Sequence, residues 1–259
     1  MKKPLTVIKI GGNVVDNPEM LSCFISDFSQ YNGDKILVHG GGKEATRMSA
    51  ALGLETVMIE GRRVTDAATL EVVTMVYAGL VNKRVVAGLQ AAGVDALGMT
   101  GADGHVVTGV RRNPVPIDYG FVGDLSPDGV NVSLLAGMLD NGVVPVMSAI
   151  AHDGKGQLLN CNADTVASTL AVAMSQERDV TLVYCFELPG VLSNPDDITS
   201  VIPYINESTF KELKSEGVVS GGMIPKITNA FNAINSGVGK VVIKHASGLL
   251  DNTATVICR

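Results

Sequence analysis

Short apolar runs alternate with amphipathic stretches along almost the whole chain, which predicts β-strands and α-helices in alternation. The first run, at 6–10, has no polar face and predicts a strand buried on both sides. Similar runs predict further strands at 35–38, 94–97, 143–147, 180–184, 240–244 and 253–258. Periodicity and capping residues predict helices from Asn17, at 43–52, 66–92, 131–141, 163–175 and 208–215, and after Ser220. This alternation predicts an α/β fold, a three-layer αβα sandwich around a central, mostly parallel open sheet.

The polar stretch 176–179 is the best candidate for a boundary between two lobes. We therefore divide the chain into an N-terminal lobe, 1–177, and a C-terminal lobe, 178–259. Residues 55–64 are predicted to form a short extended or hairpin excursion, and the Gly- and Pro-rich residues 101–130 to form hairpins over one end of the sheet.

Composition narrows the class of protein. The chain has 259 residues, 46% of them apolar, but no apolar run has the length that a bilayer requires, so we expect no membrane partner. A net charge of −6 argues against nucleic acid as a partner. The four cysteines and four histidines are scattered, which predicts reduced thiols and no metal site built by the protein. With the first strand close to the N-terminus and no signal peptide, we expect a cytoplasmic protein.

Two glycine-rich loops follow predicted strands, at Gly11-Gly12 and at Gly40-Gly41-Gly42. In open α/β sheets, ligands bind at the edge where such loops lie, and glycine N–H groups there can face an anion. Neither loop matches the Walker A or the dinucleotide-binding pattern. His39-Gly40-Gly41-Gly42 is similar to a lipase oxyanion loop, but the chain lacks the Gly-x-Ser-x-Gly element that a hydrolase of that type needs.

Several charged residues lie near these loops or at helix starts, and each has two interpretations. Lys9 lies two positions before Gly11. It could be part of an anion site, or it could be a lysine that reaches solvent at a strand end. Asp164 suits either a capping role or a site. Lys226 in the first turn of a helix opposes the helix dipole, so an anion is needed to compensate it. Arg63 could grip a carboxylate or lie in solvent.

Five motifs, in this order and at this approximate spacing, resemble the amino acid kinase family over essentially the whole chain. Within the family they are most similar to the branch that phosphorylates the side-chain carboxylate of N-acetylglutamate in arginine biosynthesis. The motifs are Lys9-Ile10-Gly11-Gly12, His39-Gly40-Gly41-Gly42-Lys43-Glu44, Gly61-Arg62-Arg63-Val64-Thr65-Asp66, Asn160-Cys161-Asn162-Ala163-Asp164 and Gly222-Met223-Ile224-Pro225-Lys226.

The resemblance implies a fold and a mechanism. ATP with Mg²⁺ carried by the nucleotide would lie over the C-terminal lobe, and a small acyl-glutamate substrate over the N-terminal lobe. Lys9 and Lys226 would neutralise the transferred phosphoryl group, and Asp164 would hold both lysines. Substrate-binding residues would be Gly41, Gly42, Arg62, Arg63, Asn160 and Asn162. Phosphate- and nucleotide-binding residues would be Gly11, Gly12, Gly40, Glu187, Gly190, Gly222 and Met223.

Two positions depart from the family pattern. Phe186-Glu187 stands where the family usually has Thr or Ser followed by Asp, which removes a hydroxyl from the nucleotide side. Arg62 stands where Leu or Met is common. Its charge could recognise an acyl group that carries a carboxylate, so N-succinyl-L-glutamate is an alternative to N-acetyl-L-glutamate, although Arg62 could equally face solvent.

The resemblance leaves other functions open. The fold could serve a kinase of another carboxylate or of a carbamate, or a non-catalytic binding module, which the two lysines and Asp164 argue against. Arginine-inhibited members carry an additional helix before the first strand, and here only four or five residues precede it. We therefore expect a homodimer without arginine feedback.

Overall fold

The computed structural model describes residues 2–219, 221 and 223–259. Its α-helices are α1 (Gly12–Asp16), α2 (Pro18–Gln30), α3 (Gly42–Ala51), α4 (Ala67–Thr74), α5 (Asn82–Ala91), α6 (Val132–Asp140), α7 (Ala163–Met174), α8 (Glu207–Ser215) and α9 (Met223–Asn235). Its strands are β1 (Lys3–Ile10), β2 (Asp34–His39), β3 (Met58–Ile59), β4 (Arg62–Arg63), β5 (Ala96–Met99), β6 (Val107–Arg111), β7 (Gly123–Val130), β8 (Val144–Ser148), β9 (Ile150–His152), β10 (Leu158–Asn160), β11 (Arg178–Phe186), β12 (Tyr204–Ile205), β13 (Lys240–His245) and β14 (Thr255–Ile257).

The described chain forms an eight-stranded sheet in the order β12-β14-β13-β11-β1-β2-β8-β5. All neighbouring strands in it are parallel except β13 and β14, which are antiparallel. The predicted mostly parallel α/β sheet is therefore confirmed. A smaller sheet has the order β10-β9-β6-β7. Its strands β6 and β7 are antiparallel and lie within residues 101–130, which we predicted to form hairpins. β3 and β4 form a short hairpin within residues 55–64.

The period-two alternation of β1 distributes the core over both faces of the sheet. Leu5 and Val7 belong to a cluster that includes buried residues of α6, α7 and α9. Ile8 and Ile10 belong to a second cluster, which includes buried residues of α1, α2, α4 and α5. Because successive side chains of a strand point to opposite faces, Lys9 shares the face of Leu5 and Val7, under α7 and α9. This parity places the lysine on the side that carries Asp164 and Lys226.

Helix caps are present at the predicted starts of two helices, where the capping side chain and the N–H groups it accepts from are close in sequence. The Asn17 side chain accepts hydrogen bonds from the backbone of Glu19 and Met20 and caps α2. The Asp66 carboxylate caps α4 by accepting from the backbone N–H of Thr69 at 2.7 Å. The predicted helix over 66–92 contains a π-helical segment, Met75–Val81, between α4 and α5.

The membrane expectation needs one correction. By length and composition alone, the continuous helix Ala67–Ala91 could cross a membrane, because it contains few charged residues. However, 44% of its apolar window is buried within the structure, where Val73, Val76 and Leu89 belong to the core. Burial against the sheet explains its apolar composition.

Candidate active site

The carboxyl ends of three adjacent parallel strands bring the two glycine loops together. β1 pairs with β2 on one side and with β11 on the other, so the residues that follow each strand meet at one edge of the sheet. A cavity of about 510 Å³ opens there. It is lined by Lys9, Gly11, Gly12, Asn13, Gly40, Gly41, Gly42, Lys43, Thr46, Met58, Arg63, Ala163, Asp164, Phe186, Glu187 and Lys226.

Each glycine loop leads into a helix at the cavity. Gly11 precedes α1 and Gly41 precedes α3, and the first N–H groups of a helix have no partner within it. The N–H of Gly11 itself is occupied, because it donates to the carbonyl of Cys185 at 3.2 Å. At Gly41 the chain passes so close to Tyr77 that a Cβ would lie 2.9 Å from its ring. The lack of a side chain at Gly41 therefore allows the close approach of its backbone to the Tyr77 ring.

The structure joins Lys9 to Asp164 across the sheet face. The Lys9 ammonium lies 2.7 Å from Asp164 Oδ1. Lys9 is buried, with 8% of its surface exposed. Asp164 lies in the first turn of α7, where a carboxylate is favoured by the helix dipole. The N-cap of α7 is Asn162 rather than Asp164, and the Asp164 carboxylate instead balances a buried cation.

Lys226 reaches the same cavity from the first turns of α9, but it is not in an ion pair with Asp164. Its ammonium lies over the ring of Phe186, 3.9 Å from the ring centroid. Within the described part of the chain, the ion pairs closer than 4.0 Å include none to Lys226. The proposed catalytic residues therefore share one cleft, while their pairing differs from the shared carboxylate that the resemblance implied.

Arg63 is buried rather than solvated. Its Nη1 donates to Thr56 Oγ1 at 3.1 Å, and its Nη2 donates to the Gly42 carbonyl at 2.8 Å and to Thr46 Oγ1 at 2.9 Å. These bonds tie β4 to the start of α3 and leave other N–H groups of the guanidinium for a ligand. The interpretation of Arg63 as a solvent-exposed arginine is therefore wrong.

A second cavity of about 190 Å³ adjoins the first through the Gly40–Gly42 loop. It is lined by Gly40, Gly41, Gly42, Met58, Gly61, Arg62, Arg63, Tyr77, Val122, Ala149, Asn160, Cys161, Asn162 and Ala163. Arg62 is half-buried at this cavity. Within the described residues, no carboxylate lies within 4.0 Å of its guanidinium.

The two asparagines of the fourth motif have different surroundings. Asn162 caps α7, since its side chain accepts from the backbone of Asp164 at 2.8 Å and of Thr165 at 3.2 Å. Asn160 is buried and donates to Thr65 Oγ1 at 2.9 Å. Both residues line the smaller cavity, and their substrate contacts stay a prediction.

Some predicted nucleotide-binding residues lie away from the lining of the large cavity. A Cβ at Gly190 would lie 2.6 Å from Thr255 Oγ1, so this glycine is required by close packing. Met223 is partly buried against the core. Gly222 lies outside the described residues. Glu187 lines the large cavity, as predicted for a site residue.

Two aromatic residues of the site, Tyr77 and Tyr184, were missed by sequence reasoning, and a third, Phe186, was considered only in part. Tyr77 lines the smaller cavity and lies beneath Gly41. Tyr184, the register partner of Lys9, donates from its hydroxyl to the Asp164 carbonyl at 3.4 Å. Phe186 had been noted only for the hydroxyl that it replaces. The two-residue spacing of Tyr184 and Phe186 on one strand would have placed them on one face beside Lys9.

A buried polar network supports the second glycine loop. In the neutral tautomer that satisfies both contacts, His39 Nδ1 donates to the Gly40 carbonyl at 2.8 Å and Nε2 accepts from Asn82 Nδ2 at 3.0 Å. The Asn82 amide also donates to the Val146 carbonyl at 2.9 Å. Complete burial lowers the pKa of His39 to about 4, because a charged imidazole would lose its hydration there.

The chain as a whole matches a known protein family. The family model described as the amino acid kinase family matches residues 4–245. The chain is 53% identical to the acetylglutamate kinase of Phocaeicola vulgatus over 257 residues, covering 99% of each chain. It is 54% identical to the acetylglutamate kinase of Bacteroides thetaiotaomicron, again covering 99% of each chain.

Among solved structures, the carbamate kinase from Giardia lamblia bound to AMP-PNP has a similar fold. Its TM-score is 0.69 at 15% sequence identity, with 100% of this chain and 99% of that chain covered. At this identity the likeness supports the fold, a mixed α/β architecture around a mostly parallel sheet.

We predict that His39 makes stability depend on pH between 6.5 and 4. The unfolded chain takes up a proton near pH 6.5 and the folded chain only near 4, so acid favours the unfolded state. At pH 5 the loss is on the order of 2 kcal/mol relative to neutral pH. Urea unfolding of wild type and His39→Gln across this range measures it, and the variant should show a flatter dependence. His105→Gln, which removes an exposed imidazole, is the matched control; equal slopes in wild type and His39→Gln would contradict the prediction.

Proposed function

The chain belongs to the amino acid kinase family, and from this premise we propose that it transfers the terminal phosphoryl group of ATP to the γ-carboxylate of an N-acyl-L-glutamate. N-acetyl-L-glutamate is the first candidate, since relatives at 53% and 54% identity over nearly the whole chain are named acetylglutamate kinases. This product would enter arginine biosynthesis. The observation that carries the proposal is the convergence of Lys9, Asp164 and Lys226 on one cavity with both glycine loops.

We assign the acceptor to the smaller cavity. Every residue that lines it belongs to 1–177, the lobe that we assign to the acyl-glutamate. Arg63 offers remaining N–H groups to the α-carboxylate, and its protein contacts hold the guanidinium in place. Asn160 and Asn162 line the same cavity and could contact the amide of such a substrate, and the Gly41–Gly42 loop lines both this cavity and the larger one.

We assign the nucleotide to the larger cavity. Phe186, Glu187 and Lys226 come from 178–259, the lobe that we assign to ATP and its Mg²⁺. The N–H groups at Gly12 and at the start of α3 suit phosphoryl oxygens, because helix N-termini carry partial positive charge. When bound, MgATP supplies the phosphoryl group and the metal that shields its charge.

The residues of this chain then catalyse by position and charge. A γ-carboxylate has a reference pKa of about 4.3, so it is already ionised at neutral pH and needs no general base. Lys9 and Lys226 face the negative charge that spreads over the transferred group, in a cleft where electrostatic interactions are strengthened by burial. Asp164 keeps the Lys9 ammonium directed at that position through the 2.7 Å contact.

N-succinyl-L-glutamate is the second candidate, and Arg62 favours it. Arg62 is half-buried at the smaller cavity, which contains the acyl end of the substrate in our assignment. A succinyl group would bring a second carboxylate to this region. An arginine that has no carboxylate partner among the described residues suits such a group.

We also propose that the protein is a homodimer, and exposed apolar residues on β5 and on the helix before it support this proposal. β5 is the last strand of the large sheet, and its Leu97 is 49% exposed. Met75 and Leu80, on the helix that precedes this strand, are also exposed. Two copies packed at this edge would cover these side chains. The mass of the protein in solution, measured by light scattering, tests the dimer.

We predict that ADP release in a coupled assay requires both lysines. With N-acetyl-L-glutamate as acceptor, Lys9→Met and Lys226→Met should each lower kcat/KM by about a hundred- to a thousandfold, because each removes a charge that stabilises the transition state. Lys240→Met, which removes an exposed lysine outside the cavity, should keep wild-type activity. A wild-type enzyme that releases ADP only with carbamate or an unrelated acid would contradict the proposed acceptor.

The choice of acyl group should depend on Arg62. If its guanidinium binds a succinyl carboxylate, Arg62→Leu should lower the ratio of kcat/KM for N-succinyl- over N-acetyl-L-glutamate by about tenfold, the usual effect of losing a charged hydrogen bond. Arg47→Leu, at an exposed arginine of α3, is the control. An unchanged ratio in Arg62→Leu would exclude this role of Arg62.

A further inference from the structure

The ring of Phe186 lies against both lysines of the proposed site. The Lys226 ammonium is 3.9 Å from the ring centroid and the Lys9 ammonium is 5.2 Å from it. Both distances fall within the roughly 6 Å over which a cation is attracted by the negative face of an aromatic ring. One side chain therefore connects the two cations that the function requires.

The fold determines the position of this ring. Tyr184 and Phe186 are two residues apart on β11, so they point to the same face, and Tyr184 is the register partner of Lys9. The two rings are nearly parallel, with an interplanar angle of 11° and centroids 6.0 Å apart. Tyr184 is buried, so it supports Phe186 from within the core. The ring is thus held between the core and the cleft.

Lys226 needs a partner of this kind. It lies at the N-terminal end of α9, where the helix dipole repels a cation, and the described residues place no carboxylate within 4.0 Å of it. A carboxylate at position 186 would cancel the charge that phosphoryl oxygens need. An aromatic ring is neutral, so it attracts the ammonium and leaves its full charge available to a ligand.

We propose that Phe186 is a positioning residue for phosphoryl transfer, which holds the ammonium of Lys226, and more weakly that of Lys9, by cation–π attraction. This inference rests on the proposed kinase function. Phe186 makes no bond in the reaction and acts through Lys226.

Stepwise fluorination of the Phe186 ring tests the attraction without a large change in shape. Fluorine withdraws electron density from the ring face, so kcat should fall progressively as fluorines are added. The full series should lower kcat by about three- to thirtyfold, which corresponds to the usual strength of such contacts. Because Lys226 acts on the transferred group, KM for the acyl-glutamate should change little. The same series at Phe24, a buried residue distant from the cavity lining, is the matched control and should keep wild-type kcat.

Conventional substitutions separate the π surface from simple packing. Phe186→Leu keeps an apolar side chain without the ring face and should resemble the most fluorinated variant, whereas Phe186→Tyr keeps the ring and should restore most of the activity. If the fluorinated variants all keep wild-type kcat, or if Phe186→Leu does so, the inference is overturned.

A second measurement is independent of kinase activity. Reductive ¹³C-methylation of the lysines gives each a methyl NMR signal, and a methyl group over a ring face is shifted upfield by the ring current. The signal of Lys226, assigned by its absence in Lys226→Arg, should be shifted in wild type and should lose the shift in Phe186→Leu. An unshifted Lys226 signal would refute the ring contact even in an active kinase. If wild type shows the shifted Lys226 signal but releases no ADP with any acyl-glutamate, the proposed function is refuted instead.

Discussion

The ammonium groups of Lys9 and Lys226 share one partly buried cleft. Their mutual repulsion must be offset without neutralising both charges. A cation removed from water is costly unless a partner compensates it. Lys9 has such a partner in Asp164, at 2.7 Å, whereas Lys226 faces the neutral ring of Phe186. The cleft therefore keeps a surplus of positive charge, which suits the binding of a transferred phosphoryl group.

The parallel sheet provides the rigidity that this arrangement needs. β1, β2 and β11 end side by side, so Lys9, the Gly40–Gly42 loop and Phe186 are positioned by strands that are buried on both faces. α7 crosses the same face and brings Asp164 over β1. Residues on such elements keep their distances better than residues on long loops.

Polar residues behind the cleft act on the glycine loop from two sides. Arg63 bonds to the Gly42 carbonyl, and His39 bonds to the Gly40 carbonyl from within the core. Both contacts hold the loop before any ligand arrives. Because His39 must stay neutral to make its two hydrogen bonds, the stability of the loop is linked to pH, while the charge of Arg63 serves both the protein and the acceptor in our proposal.

The sequence by itself determined the elements and the set of site motifs. Strand 6–10, the caps at Asn17 and Asp66, and the mostly parallel sheet follow from local periodicity and capping chemistry, which depend on near neighbours. The lysines and Asp164 stood out by their places at a strand end and at helix starts, the family resemblance implied a shared role for them, and the structure brings them to one cavity. Only the tertiary structure decided their partners: Phe186 beneath Lys226, and the burial of Arg63. These contacts join residues distant in sequence, such as His39 and Asn82, and depend on strand order, register and side-chain packing that no local pattern specifies.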